Sequence, residues 1–289
     1  MSFTQALLSN PLLQSALFAG LLASFASGII GSYVVVKRIV FISGSIAHSI
    51  LGGLGLFLWL QRTYGLVWLS PLHGALLAGI LAAIAIGWIH LRYRQREDSV
   101  IAALWSTGMA IGVIFISITP GSNAELSNYL IGNILWVSKS DLWMLFSLDV
   151  LIITTVVFLY QKLLILCFDE EQALMQGVPV EKLYYLLLVL VAISVVLLMQ
   201  IVGIILVITM LTLPATIANL FTKKLSYMML LATLLGTCFC FIGLTISYEF
   251  EWPPGATIAL FAGVCYLISL LSIERRFRLS NREADTQEI

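Results

Sequence analysis

A chain of 289 residues that is 60% hydrophobic and only 10% charged, with a formal net charge of zero, is no ordinary soluble domain, in which about a quarter of residues are charged. With a mean hydropathy of +1.03 it reads as an all-α polytopic membrane protein, which leaves no room for a separate soluble catalytic or nucleic-acid-binding domain. Residues 1–289 read as one transmembrane domain with a polar tail at 274–289. The four cysteines offer no framework: Cys238 and Cys240 are two apart, Cys167 and Cys265 are isolated, and all four suit apolar packing.

In chain order, hydropathy predicts about nine spans of roughly twenty residues, at 17–36, 39–60, 72–91, 100–119, 142–160, 183–200, 203–221, 227–247 and 256–273. No basic residue precedes Lys37, so the N-terminus reads as an uncleaved first span and not as a signal peptide. Within that span Gly20, Ser24 and Gly28 recur every fourth residue, a spacing that lets helix backbones approach closely. Residues 121–141 are too polar to span and too apolar to be disordered, and are expected to lie in the interface or to re-enter against protein. If the N-terminus lies outside, thirteen of the fifteen Lys and Arg residues fall on inner loops, with only Arg62 and Lys139 outside. The positive-inside rule therefore predicts N-terminus out and C-terminus in.

A short polar interruption runs from Phe168 to Pro179. Asp169 suits an N-cap, Gly177 a left-handed helix end and Pro179 the first turn of the next helix, predicting a short helix at about 169–177. The run after it, 183–220, is too long for one crossing and must turn back, with 200–203 its weak point.

Two ionisable residues fall deep inside predicted spans. His48 sits mid-span with Gly44, Ser45, Gly52 and Gly55 at helical spacing around it. The small residues leave room beside the imidazole, which suits a ligand for a transition-metal ion beside a path, or equally a histidine bonded to a neighbouring helix. Asp149 lines a path or accepts hydrogen bonds from another helix. Glu125, Glu249 and Glu251 fall on outer segments, where an acidic mouth attracts cations but ordinary solvated carboxylates look the same.

Three stretches carry a resemblance: GIIGSYVVVKRIVFISGSIAHSILGGLG from Gly28, FDEEQALMQGVPVEKLYYLLLVLVAISVVLLMQIVGIILVITMLTLPATIANL from Phe168, and SYEFEWPPGATIALFAGVCYLISL from Ser247. In order and spacing they resemble the bacterial ABC permeases that import zinc, manganese or iron. The resemblance implies a transport subunit and not an enzyme, with the divalent metal as substrate and no permanently bound cofactor. It implies that the short helix is a coupling helix, with Glu170, Ala173 and Gly177 meeting a cytoplasmic ATP-binding subunit. An extracytoplasmic metal-binding protein and a second permease copy or paralogue would complete the assembly, with no nucleic acid. Many of these permeases carry an aspartate four residues before the histidine; here Gly44 stands there. No Gly-Lys dipeptide occurs, so the chain has no phosphate loop and cannot be the ATPase itself. The alternatives are a gradient-driven secondary transporter, which usually carries more midplane charge, and an intramembrane enzyme, which needs a nucleophile–base pair or ligand cluster.

Overall fold

The computed structural model describes residues 3–66, 68–93, 97–121 and 134–287, and within them the chain is helical with no strand. In order come α1 (Phe3–Ser9), α2 (Pro11–Val36), α3 (Val40–Tyr64), α4 (Pro71–Tyr93), α5 (Glu97–Ile118), a 3-10 turn (Ile134–Trp136), α6 (Lys139–Phe168), α7 (Glu170–Met175), α8 (Val180–Phe221), α9 (Leu225–Phe250) and α10 (Pro254–Gln287). Eight of them, all but α1 and α7, are long and apolar enough to cross a bilayer. Local sequence sets several ends. Asn10 caps α2 by accepting from the Leu12 N–H at 2.9 Å, with Pro11 in the first turn, so α2 begins earlier than the predicted span. Ser138 and Asp141 form a reciprocal capping box at the start of α6. Much of the expected interfacial segment, 122–133, lies outside the described residues; its last part, at Ile134, is buried.

The 42 residues of α8 would extend ~63 Å, about twice a hydrocarbon core of ~30 Å. The helix is broken at Gly203, whose φ of 78° and ψ of 162° are non-helical and open mainly to glycine. Both ends of α8 lie at one end of the bundle. Near its start the Tyr184 ring lies 6.0 Å from the Lys37 ammonium; near its end Asn219 and Thr222 share a cleft with Val35, Val36 and Arg38. The break lies at the opposite end, where Gln200 Nε2 comes within 3.5 Å of Asp141 Oδ1 at the head of α6. α8 is thus a hairpin of 180–202 and 204–221, and the described residues make nine passes, with the reversal where the sequence is weakest.

Small residues set the closest approaches. Down α2, Gly20 faces Cys240, Ser24 faces Gly236 and Gly28 faces Thr233, so α2 and α9 run antiparallel in contact. Gly31 abuts the Leu211 carbonyl of α8. The α2 serines need no partner helix, because Ser24, Ser27 and Ser32 donate to the carbonyls of Gly20, Ala23 and Gly28, which satisfies each hydroxyl locally.

A methyl group at Gly31 would run into the Leu211 carbonyl oxygen, whereas one at Gly263 in α10 meets nothing within 4 Å. Gly31→Ala should therefore destabilise the purified protein by roughly 1–3 kcal/mol through overpacking, while Gly263→Ala should leave its thermal transition near the parental value. Equal transitions for the two variants would show that α2 and α8 do not touch there.

Candidate functional site

His48 lies on α3, half-buried, with its ring stacked on Trp105 of α5 at 4.2 Å between centroids and 15° between planes. Its Nδ1 is buried with no hydrogen-bond partner among the described residues. The small residues around it act differently from the expectation that they leave open room. They let α5 lie flat on α3: Ser45 Oγ donates to Ile101 O at 3.0 Å and Ser49 Oγ to Leu104 O at 3.1 Å. A Cβ at Gly52 would stand 3.0 Å from Gly108 O, and one at Gly55 would stand 2.8 Å from Gly112 O. On the other side of α3, Gly53 and Gly74 of α4 meet backbone to backbone. α3 is therefore clamped between α4 and α5 through glycines. Only Gly44 keeps space, its nearest neighbour being Trp105 at 3.7 Å.

Asp149 is 5% exposed, and among the described residues neither carboxyl oxygen makes a well-formed hydrogen bond. It sits on α6 against the backbone of Ala26 in α2, while His48 faces α5, so the two do not converge. Among the described residues no three of His, Cys, Asp and Glu gather as a ligand cluster. The remaining histidines are at helix ends. His73 Nδ1 pairs with Ser70 Oγ at 3.0 Å, and His90 stacks on Tyr184 with centroids 4.9 Å apart.

The short helix α7 forms as its sequence directs. Asp169 Oδ1 accepts from the Gln172 N–H at 2.9 Å. At the other end Gly177, with φ of 71°, lets its own N–H reach Leu174 O and the Val178 N–H reach Ala173 O, both at 3.0 Å, which closes the helix in a left-handed cap. Ala173, expected to contact an outside subunit, is fully buried within this chain. Of its apolar residues, Leu174 and Met175 are offered outward, 61% and 83% exposed. Glu170 is turned back onto the bundle in an ion pair with Lys37. Sequence reasoning missed Lys37, Trp105, Leu174 and Met175. The first two act through contacts 133 and 57 residues away along the chain. The alternation of Ala173 inward and Leu174 outward follows from how α7 is rotated on the bundle, which no local signal records.

At the Gln200 end of the bundle Glu249 and Glu251 are exposed. Glu251 ends α9 with a left-handed φ of 55° and, with Leu13, Leu135, Ser247, Tyr248 and Trp252, lines a cleft of about 460 Å³. Glu125 lies outside the described residues.

The family model described as the ABC 3 transport family matches residues 9–273. The chain belongs to the ABC 3 transport family. It is 48% identical to a Chlamydia muridarum protein named "Probable metal transport system membrane protein", over 90% of this chain and 89% of that one. It is 33% identical, over the whole length of both, to a Listeria innocua protein named manganese transport system membrane protein MntC. In fold it is similar to the solved structure of PsaBC from Streptococcus pneumoniae in complex with Fab, with a TM-score of 0.80 and 32% identity over 92% of this chain and 94% of that one. As an ABC 3 protein it is the multi-pass membrane component of a transporter and not a catalytic chain.

The geometry around His48 separates two substitutions that look alike in sequence. Gly44→Asp has space beside Trp105 and should leave the thermal transition close to the parental one. Gly52→Leu drives a side chain into Gly108 and should lower stability by roughly 1–3 kcal/mol by prising α5 from α3. Thermal unfolding of both variants in detergent checks this; a stable Gly52→Leu protein would contradict the clamped α3–α5 contact.

Proposed function

We propose that this chain is the membrane permease of an ATP-driven importer for a divalent transition metal, manganese foremost, with zinc and iron in the same class. The observation that carries this reading is α7: a helix fixed by caps at both ends and seated by Ala173, which turns Leu174 and Met175 outward at the face rich in Lys and Arg. Exposed apolar side chains clustered on one short helix, with Phe168 just before it, suit docking by another protein. A separate ATP-binding subunit is the natural partner, since this chain lacks a phosphate loop. By the positive-inside rule this face, with Lys37, Arg38, Lys223 and Lys224, is cytoplasmic. The N-terminus and the face holding Glu249 and Glu251 are then outside, where an extracytoplasmic metal-binding protein delivers the ion. A second permease copy or a paralogue completes the membrane part, the assembly sits in a bacterial cytoplasmic membrane, and no nucleic acid is involved. The metal is cargo, and no cofactor is held permanently.

In this mechanism His48 is the path ligand. Neutral imidazole favours transition-metal ions over magnesium and calcium, which prefer oxygen ligands. Gly44 leaves the imidazole without a carboxylate one turn away, so the site holds its ion weakly, and weak holding favours release in a path. Because α3 is clamped on both sides, the ion reaches His48 when helices shift as bodies, driven by ATP-dependent closure of the partner subunits against α7. Asp149, buried on α6, is a second polar station or a structural acceptor in the bundle.

The test is metal uptake by vesicles holding the complete complex, with ATP and competing ions varied. Uptake should require ATP, should be competed by manganese, zinc or iron and little by magnesium or calcium, and should fall about ten-fold or more in His48→Ala, the scale of losing one transition-metal ligand. ATP-independent uptake would overturn the reading, and parental rates in His48→Ala would overturn the site.

A further inference from the structure

Lys37 has no mechanistic role in the scheme above, yet it joins four elements, α2, α6, α7 and α8. It caps the C-terminal end of α2. Its ammonium donates to Leu166 O at 3.1 Å, near the end of α6, and to the carboxylate of Glu170, the first residue of α7. The Tyr184 ring of α8 lies 6.0 Å from it, within cation–π reach. The Lys37 side chain is 13% exposed and that of Glu170 38%.

We infer that Lys37 is the positioning residue that carries motion of α7 into the α2–α3 turn, and so into the helix that holds His48. This rests on the transporter reading and adds to it the route of coupling. An ammonium this buried is costly without its carboxylate and carbonyl acceptors, so Lys37 follows Glu170 when α7 is pushed. The turn on its other side is built to move as a unit. The N–H groups of Lys37, Arg38 and Ile39 bond to the carbonyls of Tyr33, Val35 and Val34 at 2.9, 3.1 and 2.9 Å. Arg38 holds a left-handed φ of 61°, which a non-glycine residue keeps only when its surroundings enforce it. Ile39, 5% exposed, is wedged under the start of α3. His48 then lies nine residues further along, about 13 Å up the same helix. α7 therefore has a short, hydrogen-bonded connection to α3 that bypasses α8.

A simple staple holding α6 and α7 to α2 would show the same contacts, so the test must read coupling and not only stability. In vesicles holding the complete complex, metal ions moved per ATP hydrolysed are measured for the parental protein, Lys37→Met and Lys37→Arg. Lys37→Met keeps the chain length and removes the charge. It should retain bound ATPase and near-parental ATP hydrolysis while moving about five-fold fewer ions per ATP or less, the lower end of typical coupling between sites. Lys37→Arg should restore most of the ratio. A parental ratio in Lys37→Met overturns the inference, and so does parallel loss of hydrolysis and uptake with release of the ATPase, which is the behaviour of a staple. If the parental complex shows no ATP-dependent uptake, it is the transporter reading that fails. The link is then decided by spin labels at Met175→Cys and Phe41→Cys, both exposed, in the full-length chain with its four native cysteines replaced by alanine. Lys37→Met should broaden the distance distribution between the labels; an unchanged distribution overturns the link.

Discussion

Direct backbone contact at glycines is the constraint on which the rest of this bundle depends. In a bilayer, burying apolar side chains against one another gains little over burying them in lipid, so close approach and satisfied polar groups must order the helices. Gly31 lets α2 touch the α8 backbone, Gly53 and Gly74 join α3 to α4, and Gly52 and Gly55 seat α3 on α5. These contacts fix α3 rigidly on two sides. Any motion that exposes His48 must then be one of whole helices.

Against that apolar framework the few polar groups without partners stand out. Among the described residues Nδ1 of His48 and both oxygens of Asp149 are buried without a well-formed hydrogen bond, whereas the serines and threonines of the spans mostly donate to carbonyls of their own helices. The difference is physical: a hydroxyl closes on its own helix, while an imidazole or a carboxyl cannot. Such groups need something else, and a passing cation supplies it for an imidazole. The same logic explains why Lys37, drawn under α7, keeps company with a carboxylate, a carbonyl and an aromatic ring.

Much of this was legible in the sequence. Composition gives the membrane class, and the run 183–220 is too long for one crossing and breaks at Gly203. Asp169 and Gly177 mark the ends of α7, and the spacing of Gly20, Ser24 and Gly28 marks the contact face of α2. The rest was not legible because it depends on how helices are rotated against one another. The small residues beside His48 read as open space, but α5 fills it. Ala173 read as an outward contact, but α7 is rolled so that it points in and Leu174 points out. The stack of His48 on Trp105 and the pairing of Lys37 with Glu170 join residues far apart along the chain, and periodicity within one helix cannot reveal either.

The central claim is that a divalent transition metal passes directly against the His48 imidazole. Pulsed electron paramagnetic resonance of manganese(II) bound to the complete complex, without nucleotide, reads that contact, because an imidazole nitrogen bound to the ion modulates its spin echo. A directly coordinated His48 gives nitrogen modulation in the parental protein that disappears in His48→Ala. Bound manganese with no nitrogen modulation, or modulation that persists in His48→Ala, would contradict it.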